Sequence, residues 1–422
     1  MPEPANSHNF LTLMPADEFR ALLADWPALP AVTAGLDDAF GRFLAADVVA
    51  PEDLPPAPRA CMDGYAVRAA DTFGAGESLP AYLERQATIA IHKPPEFTLE
   101  PGRCAAITTG GWLPDGADAV AMVEHTQALA GETVEFRRPV APGENVMQRG
   151  EDARANTPAL AAGTLLRAPE IGLLAALGLS EAPIHRLPRV AVISTGDELV
   201  PAHETPKPGR IRDVNSHALA AMARECGAQA DRLGIVPDDT AAIARALEKA
   251  LADHDVVLLS GGSSVGARDC TVAALSSLPQ AELLVHGVAV SPGKPTILAR
   301  AGSAAILGLP GQVASAQVIM HVFVKPLLRR LTGDPRAFAP ERGRMARLAR
   351  NVASRHGRED WLRVSLEEDG DALPLAHPRL GKSGLLRTLL AAQGLVRIPA
   401  TREGLNADEQ VEVLPLGQPL SA

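Results

Sequence analysis

Aromatic residues are scarce in this chain, at 3% of the total. The cores must therefore be built from Ala, Val, Leu and Ile. Cysteines number four, Cys61, Cys104, Cys226 and Cys270, with no CxxC pairing. That spacing excludes a zinc ribbon or a disulfide framework and points to a reducing compartment. His286 and the other histidines have no metal-ligand spacing. No apolar run approaches the roughly 20 residues of a membrane span, and no basic segment precedes an apolar stretch near the start. A cytoplasmic location with no membrane partner is expected. The net charge is −10, which opposes nucleic-acid binding unless cations are concentrated. The densest basic region holds Arg329, Arg330, Arg342, Arg344, Arg347 and Arg350. Pro, Gly and apolar residues interrupt it, so it reads as a solvated helix end and linker, and no nucleic-acid partner is expected.

What is present is length and punctuation. A chain of 422 residues exceeds one ordinary core, so two to four domains are expected. Pro and Gly number 36 each, which implies many turns and interrupted strands. Residues 15–25 have the spacing of a short amphipathic helix, and 37–49 that of a second helix running into a strand. Four prolines between Pro51 and Pro58 make an extended connector. It leads to Met62-Asp63-Gly64-Tyr65-Ala66-Val67. Short β-prone pieces follow (87–91, 104–107, 119–122), as in a small β-rich domain. Residues 168–179 read as a helix.

From Arg189 the pattern changes. Continuous apolar strands at 189–194, 231–236 and 256–259 alternate with helices at 215–226 and 240–252. A further strand is expected at 283–290 and a long helix at 314–331. Such alternation predicts a mainly parallel sheet flanked by helices. Residues 340–418 return to short strands. The expected architecture is thus multidomain α/β plus β: a central α/β domain, a small β-rich inserted domain and a C-terminal β domain.

Ligands of open parallel sheets sit at the carboxyl ends of the strands. The first strand is followed by Thr195-Gly196-Asp197-Glu198, the second by Pro237-Asp238-Asp239, and the third by Ser260-Gly261-Gly262-Ser263-Ser264-Val265-Gly266-Ala267-Arg268-Asp269. Gly261, Gly262 and Gly266 let backbone N–H groups converge on an anion. Glu198, Asp238 and Asp269 add carboxylates at the same rim, and an anionic ligand beside them calls for a hard divalent cation. Magnesium is the expected cofactor, with Asp238 and Asp269 as its ligands. Each loop alone also reads as a tight turn, and Asp238 or Asp239 as a helix cap. Three such loops along one sheet edge favour a site for a phosphorylated or nucleotide ligand. The glycine loop lacks the Lys-Ser/Thr of a Walker A sequence and the GxGxxG of a dinucleotide site. Ser291-Pro292-Gly293-Lys294-Pro295 presents a cation suited to an oxyanion or to a plain surface turn. Gly308-Leu309-Pro310-Gly311 leads into the long helix.

Six segments in order resemble the molybdopterin molybdenumtransferase (molybdenum insertase) family. They are MDGYAV at 62–67, GEN at 143–145 with GED at 150–152, STGDEL at 194–199, SGGSSVGARD at 260–269, PGKP at 292–295 and GLPG at 308–311. The resemblance covers roughly 36–413. It implies a four-part subunit: 1–50 with 146–185 as an elongated linker and dimerisation domain, 51–145 as the inserted β-rich domain, 186–333 as the α/β pterin-nucleotide domain, and 340–418 as a β-barrel-like domain. It implies a homodimer whose α/β domain faces the partner's β-rich domain. The implied reaction takes adenylylated molybdopterin and molybdate, releases AMP and forms the molybdenum cofactor with a divalent cation. The implied catalytic residues are Asp63, Glu198 and Asp269. Substrate binding falls to Thr109, Thr195, Gly196, Asp238, Ser260, Gly261, Gly262, Ser264, Gly266, Lys294, Pro310 and Ser383. A molybdopterin adenylyltransferase or a molybdoenzyme is the implied protein partner.

The sequence departs from the family pattern at four places. Met147-Gln148 precede Arg149 where a cation is usual, Ser291 replaces a basic residue before PGKP, Gln312-Val313 follow GLPG, and Cys61 stands two before Asp63. These departures raise a second reading, a paralog that binds the pterin nucleotide or finished cofactor for one molybdoenzyme without inserting metal. A related adenylyltransferase would not need residues 1–185, and a plain scaffold would not need three functional strand ends.

Overall fold

The computed structural model describes residues 13–261, 265–370 and 372–417. By contacts the chain falls into two compact units, 33–184 and the remainder.

The larger unit is built on a six-stranded sheet. Its elements in chain order are β1 (Arg189–Thr195), α1 (Asn215–Glu225), β2 (Gln229–Val236), α2 (Thr240–Leu251), β3 (Val256–Ser260), α3 (Val265–Ser277), β4 (Ala281–His286), β5 (Ile297–Ala301) and β6 (Ala304–Leu309). The strand order is β2-β1-β3-β6-β5-β4. The first four are parallel, and β5 alone runs antiparallel to its neighbours β6 and β4. Alternate side chains feed two cores. Val190, Val192, Val256, Leu258 and Leu307 enter one, and Ala191, Ile193, Val257, Leu259 and Ile306 the other. With both faces covered, continuous apolar runs are the required strand pattern. Each buried Val, Leu or Ile contributes roughly 1.5–3 kcal/mol. One face receives Leu219 and Ala223 of α1 together with Phe19, Leu23 and Trp26 from the N-terminal segment. The other receives Ile243 and Leu247 of α2 and Leu275 of α3.

Three expectations are corrected here. The strand expected at 283–290 is two: β4 ends at His286, and Val290–Ser291 pairs with a C-terminal strand. The helix expected at 314–331 is split into Val313–Ile319, a π segment Met320–Val324, and Lys325–Leu331. Pro326 has no N–H for the carbonyl one turn back, and a wider turn precedes it. Within 37–49, expected as a helix running into a strand, the helix is a single turn that stops at Ala39 and the strand is confined to Val48–Val49. The hairpin β5–β6 was missed, because its apolar runs follow one another with only Gly302-Ser303 between them.

The C-terminal strands Arg344–Leu348, Glu359–Glu367, Leu375–Pro378, Gly394–Ile398 and Gln410–Pro415 close on themselves through pairing of Glu359–Glu367 with both Leu375–Pro378 and Gly394–Ile398. Leu348, Leu362, Val364, Val396 and Val413 fill the interior.

The smaller unit holds a six-stranded sheet in the order Ala119–Met122, Gly64–Val67, Arg103–Ile107, Ala81–Thr88, Thr133–Phe136, Thr126–Ala128. Its two faces bury Val67, Cys104 and Phe136 on one side and Ala66, Ala105 and Ile107 on the other. Burial pushes the Cys104 thiol up to about 12. All four cysteines are free. No described helix is long and apolar enough to cross a membrane.

The close approach of β3 to β1 makes a sharp prediction. A Cβ on Gly261, at φ +145°, would lie 2.0 Å from the Thr195 carbonyl oxygen. Gly227 is also left-handed (φ +79°), but its Cβ would meet nothing nearer than 3.9 Å. Gly227→Ala should cost about 1–2 kcal/mol. Gly261→Ala should cost more than about 3 kcal/mol, since strain and clash add. Urea unfolding measures both, and equal midpoints would contradict the close-approach argument.

Candidate active site at the strand ends

Where β1, β2, β3 and β6 end, a cavity of about 570 Å³ opens. Its lining includes Thr195, Glu198, Asp238, Ser260 and Gly261, all expected from the sequence. Gly196 lies at its wall, where a Cβ would come within 2.6 Å of the Glu198 carboxylate. Pro310 immediately precedes Gly311, which lines the cavity. Gly262 and Ser264 lie outside the described residues. Gly266 and Asp269 fall on α3, and their side chains are likewise outside the description.

Ser383 reaches this site through its backbone. Its carbonyl accepts the Ala314 N–H at 2.9 Å, and Gly384 and Leu386 of the same loop line the cavity. One N–H at the start of the long helix is thereby already engaged.

Asp238 and Asp239 divide the two roles the sequence left open. Asp239 caps α2, accepting from the Ala242 N–H at 2.8 Å. Asp238 keeps a buried Oδ1 with no hydrogen-bond partner among the described residues. Burial, then the charges of Asp197 and Glu198, raises its proton affinity above the ordinary carboxyl value. Asp197 accepts from the Asp238 backbone N–H at 3.3 Å.

Sequence reasoning missed four lining residues: Arg210, Arg212, Asp213 and Asn215. Asp213 is buried and satisfied. It accepts from Ser194 Oγ (2.9 Å), Ser216 Oγ (2.5 Å) and the Ser216 N–H (3.1 Å). Asn215 donates through Nδ2 to Ser260 Oγ (2.7 Å) and to the Gly311 carbonyl (2.9 Å). Its buried Oδ1 has no partner among the described residues. The signal was the run Arg210-Ile-Arg-Asp-Val-Asn215, where cations and an amide directly precede a helix in an α/β pattern.

Lys294 does not line this cavity. With Ser291, Pro292, Gly293 and Arg358 it lines a separate recess of about 110 Å³. Lys294 is exposed, and Gly293 is required because a Cβ there would lie 2.2 Å from Ile319 Cδ1. Arg358 was not anticipated. It is contributed by the C-terminal barrel and braced by Asp360 at 3.0 Å.

In the smaller unit, Asp63 Oδ1 accepts from the Thr109 N–H (2.7 Å) and Thr109 Oγ1 (2.9 Å). These two bonds hold its carboxyl below the usual value. Gly64 has no alternative, since a Cβ there would lie 1.9 Å from the Ala121 carbonyl oxygen. The GEN and GED segments build turns. Glu144 accepts from the Ala141 N–H and Asn145 donates to the Val120 carbonyl, both at 2.9 Å. Arg149 is held by Asp53 at 2.6 Å.

An α/β sheet with a cavity lined by carboxylates and arginines at its strand ends has the form of a ligand-binding domain. Three family models cover the chain: the MoeA N-terminal region (domains I and II) at 14–178, a probable molybdopterin-binding domain at 191–330, and the MoeA C-terminal region (domain IV) at 345–416. The chain is 36% identical over 391 residues to molybdopterin molybdenumtransferase 2 of Mycobacterium tuberculosis, covering 91% of this chain and 95% of that protein. It is 39% identical over 305 residues to molybdopterin molybdenumtransferase of Nostoc sp., covering 72% and 70%. A crystal structure of the molybdopterin biosynthesis MoeA protein from Pyrococcus horikosii superposes with a TM-score of 0.79 at 35% identity, covering 96% of this chain and 99% of that one. The chain belongs to the MoeA family of molybdopterin molybdenumtransferases.

The raised proton affinity of Asp238 has a stability consequence. The folded chain binds this proton more tightly than the unfolded chain does. The group therefore favours folding at acid pH, and that contribution is lost as pH rises through the raised folded value. Asp238→Asn should remove this loss. Its urea midpoint at pH 7 should equal or exceed that of the parent chain, with the advantage vanishing in acid. A lower midpoint at neutral pH would show Asp238 to be stabilised by partners rather than strained.

Proposed function

We propose that this chain inserts molybdenum from molybdate into adenylylated molybdopterin, releasing AMP and forming the molybdenum cofactor. The observation that carries this reading is the pair of buried, unpartnered oxygens, Asp238 Oδ1 and Asn215 Oδ1, in one cavity beside Gly261. A buried acceptor without a donor or cation costs about 1–3 kcal/mol. Asp238 calls for a cation or a proton, and Asn215 for a donor such as a ligand hydroxyl or ring N–H.

Magnesium fits the first requirement. Among the described residues no group of three or more His, Cys, Asp or Glu is assembled as a metal site. Magnesium usually takes one or two carboxylates and completes its shell with phosphate oxygens and water. Asp238, with Asp269, would hold it. When bound, it supplies positive charge that neutralises phosphate oxygens between the carboxylates.

The remaining roles fall to the chain's own residues. Gly261 admits the ligand backbone-close, with Thr195, Gly196 and Ser260 beside it, and the resemblance assigns Gly262, Ser264 and Gly266 to the same ligand. Arg210 and Arg212 offset phosphate charge. Pro310 and Ser383 shape the lip. Lys294 and Arg358 form the oxyanion recess, and Arg358 compensates for the serine at 291. Asp63, held ionised by Thr109, is an acceptor at neutral pH and a poor proton donor. Glu198 is the group left to move protons as sulfur replaces oxygen on the metal. The four-part subdivision, the homodimer, cytoplasmic placement, and delivery to or receipt from an adenylyltransferase or molybdoenzyme complete this reading.

The deciding assay is molybdate-dependent AMP release from adenylylated molybdopterin with Mg²⁺. The parent chain should release AMP. Asp63→Ala, Glu198→Ala and Asp269→Ala should each lower the rate about 100-fold or more. Arg358→Ala should raise the molybdate requirement about 10-fold, consistent with losing one charge-assisted contact, and Ser291→Lys should lower it. Tight substrate binding without AMP release would turn the reading to a non-inserting paralog.

A further inference from the structure

The segment that leads into Asp63 is a short strand with partners on both sides. Arg59–Ala60 pairs antiparallel with Val146–Met147, and Met147 stands directly opposite Arg59. On the other side Arg59 bridges Trp112. The Ala60 N–H donates to the Gly111 carbonyl at 2.9 Å, and the Gly110 N–H to the Ala60 carbonyl at 2.8 Å. Asp63, four residues on, is held by Thr109 of the same loop. The loop 108–112 thus fixes both the strand of Arg59 and the carboxylate of Asp63.

Arg59 is half-buried and its charge is uncompensated. Its Nε is buried without a hydrogen-bond partner, and among the described residues no carboxylate pairs with it. Every residue of the smaller unit is described, so the missing acceptor does not lie elsewhere within it. The guanidinium lies over Trp112, with Cζ 5.6 Å from the ring centroid. An aromatic face orients a guanidinium but does not neutralise it, and its N–H edge stays free. A flat cation presented in this way suits an oxyanion, which can accept two parallel N–H bonds.

Met147 stands where the family pattern has a cation. It is 37% exposed and offers a thioether there. Directly opposed residues of an antiparallel pair share a face, with Cβ atoms about 4.5–5.5 Å apart. A cation at 59 therefore emerges on the face from which one at 147 would act. The neighbouring cations are engaged: Arg149 is held by Asp53 at 2.6 Å, and Arg138 by Glu144 at 3.0 Å.

We propose that Arg59 is an oxyanion-binding residue of the smaller unit, supplying from the opposite strand the charge that Met147 lacks. The anion it takes is an oxygen-bearing group of the substrates, either a phosphate of the pterin nucleotide or molybdate. The identity of that substrate rests on the function proposed above, whereas the anion contact does not.

The test moves the charge across the strand pair in the full chain. Arg59→Met and Arg59→Gln should each raise KM for at least one substrate of AMP release about 10-fold, with kcat within about 3-fold. A rise for adenylylated molybdopterin alone assigns the contact to phosphate, and a rise for molybdate alone assigns it to the metal oxyanion. Arg59→Met combined with Met147→Arg should bring KM back to within about 3-fold of the parent value. A residue that only stacks on Trp112 would not be rescued from position 147. A KM left high in the double variant therefore overturns the proposal, as does an unchanged KM in both single variants. Calorimetric titration with AMP, inorganic phosphate and molybdate reads the contact without turnover. Affinity for at least one of them should fall about 10-fold in Arg59→Met and recover in the double variant. A parent chain that releases no AMP would sink the proposed function on its own. The titration would then still decide the anion contact, with affinities equal in parent and Arg59→Met, or no binding by the parent, refuting it.

Discussion

The strand-end cavity depends on one amide. Asn215 opens helix α1 and spends both of its Nδ2 hydrogens across the sheet edge, on Ser260 at the end of β3 and on Gly311 beyond β6. Two loops that are far apart in sequence are thereby set to one spacing. Ser260 and Gly311 are buried or nearly so, and water cannot readily replace the bonds. With both donors committed, the amide can offer the cavity only its oxygen. Asp213 two residues earlier is fixed by Ser194 and Ser216, which locks the helix start to β1. The geometry of the site is thus carried by hydrogen bonds among neutral side chains and one satisfied carboxylate. That leaves the free charges available to a ligand.

Those free charges are tuned in opposite directions in the two units. Asp63 has two short donors from Thr109 and stays ionised well into acid. Asp238 is partly buried, with the like charges of Asp197 and Glu198 beside it, and holds its proton more tightly than usual. The two carboxyls are the same functional group, and only the surroundings differ. One carboxylate is a fixed acceptor, and the other is stabilised when a cation arrives.

Much of this was legible in the sequence, for identifiable reasons. The parallel strands were visible because burial on both faces demands unbroken apolar runs, and β1 and β3 have them. Thr195, Glu198, Asp238, Ser260 and Gly261 were visible because loops after parallel strands converge on one edge. The split of the long helix was not visible, because the apolar spacing continues through Met320–Val324 and only Pro326 hints at the interruption. The edge hairpin β5–β6 was hidden by its tight connection. Asn215 was hidden because its role is a pair of contacts to residues 45 and 96 positions away, and no local pattern encodes a distant partner. Arg358 was hidden for the same reason. It lies beside a barrel strand whose pattern reads only as core and surface.

The C-terminal barrel is joined to the α/β sheet by more than a linker. Val290–Ser291 leaves the sheet region and pairs with Glu359–Asp360 of the barrel, so the segment that presents Lys294 is partly a barrel element. At the same point Glu359 is 1% exposed and accepts from Arg20, Arg397 and Trp361 Nε1. Arg20 comes from the N-terminal helix, and the helix also supplies Asp17 to both arginines. Two acids and two bases cancel in charge, so the network avoids an uncompensated buried ion. Glu359 is the buried member, and Asp17 and Arg397 close the network at its solvent edge. The barrel is therefore fixed in register against the sheet at the place where it delivers Arg358, and the Ser383 loop, on the same barrel, reaches Ala314 from that fixed base. The strand-end cavity and the recess lined by Lys294 and Arg358 are held in the same unit because a neutral charge network around the buried Glu359 lets neither half slide against the other.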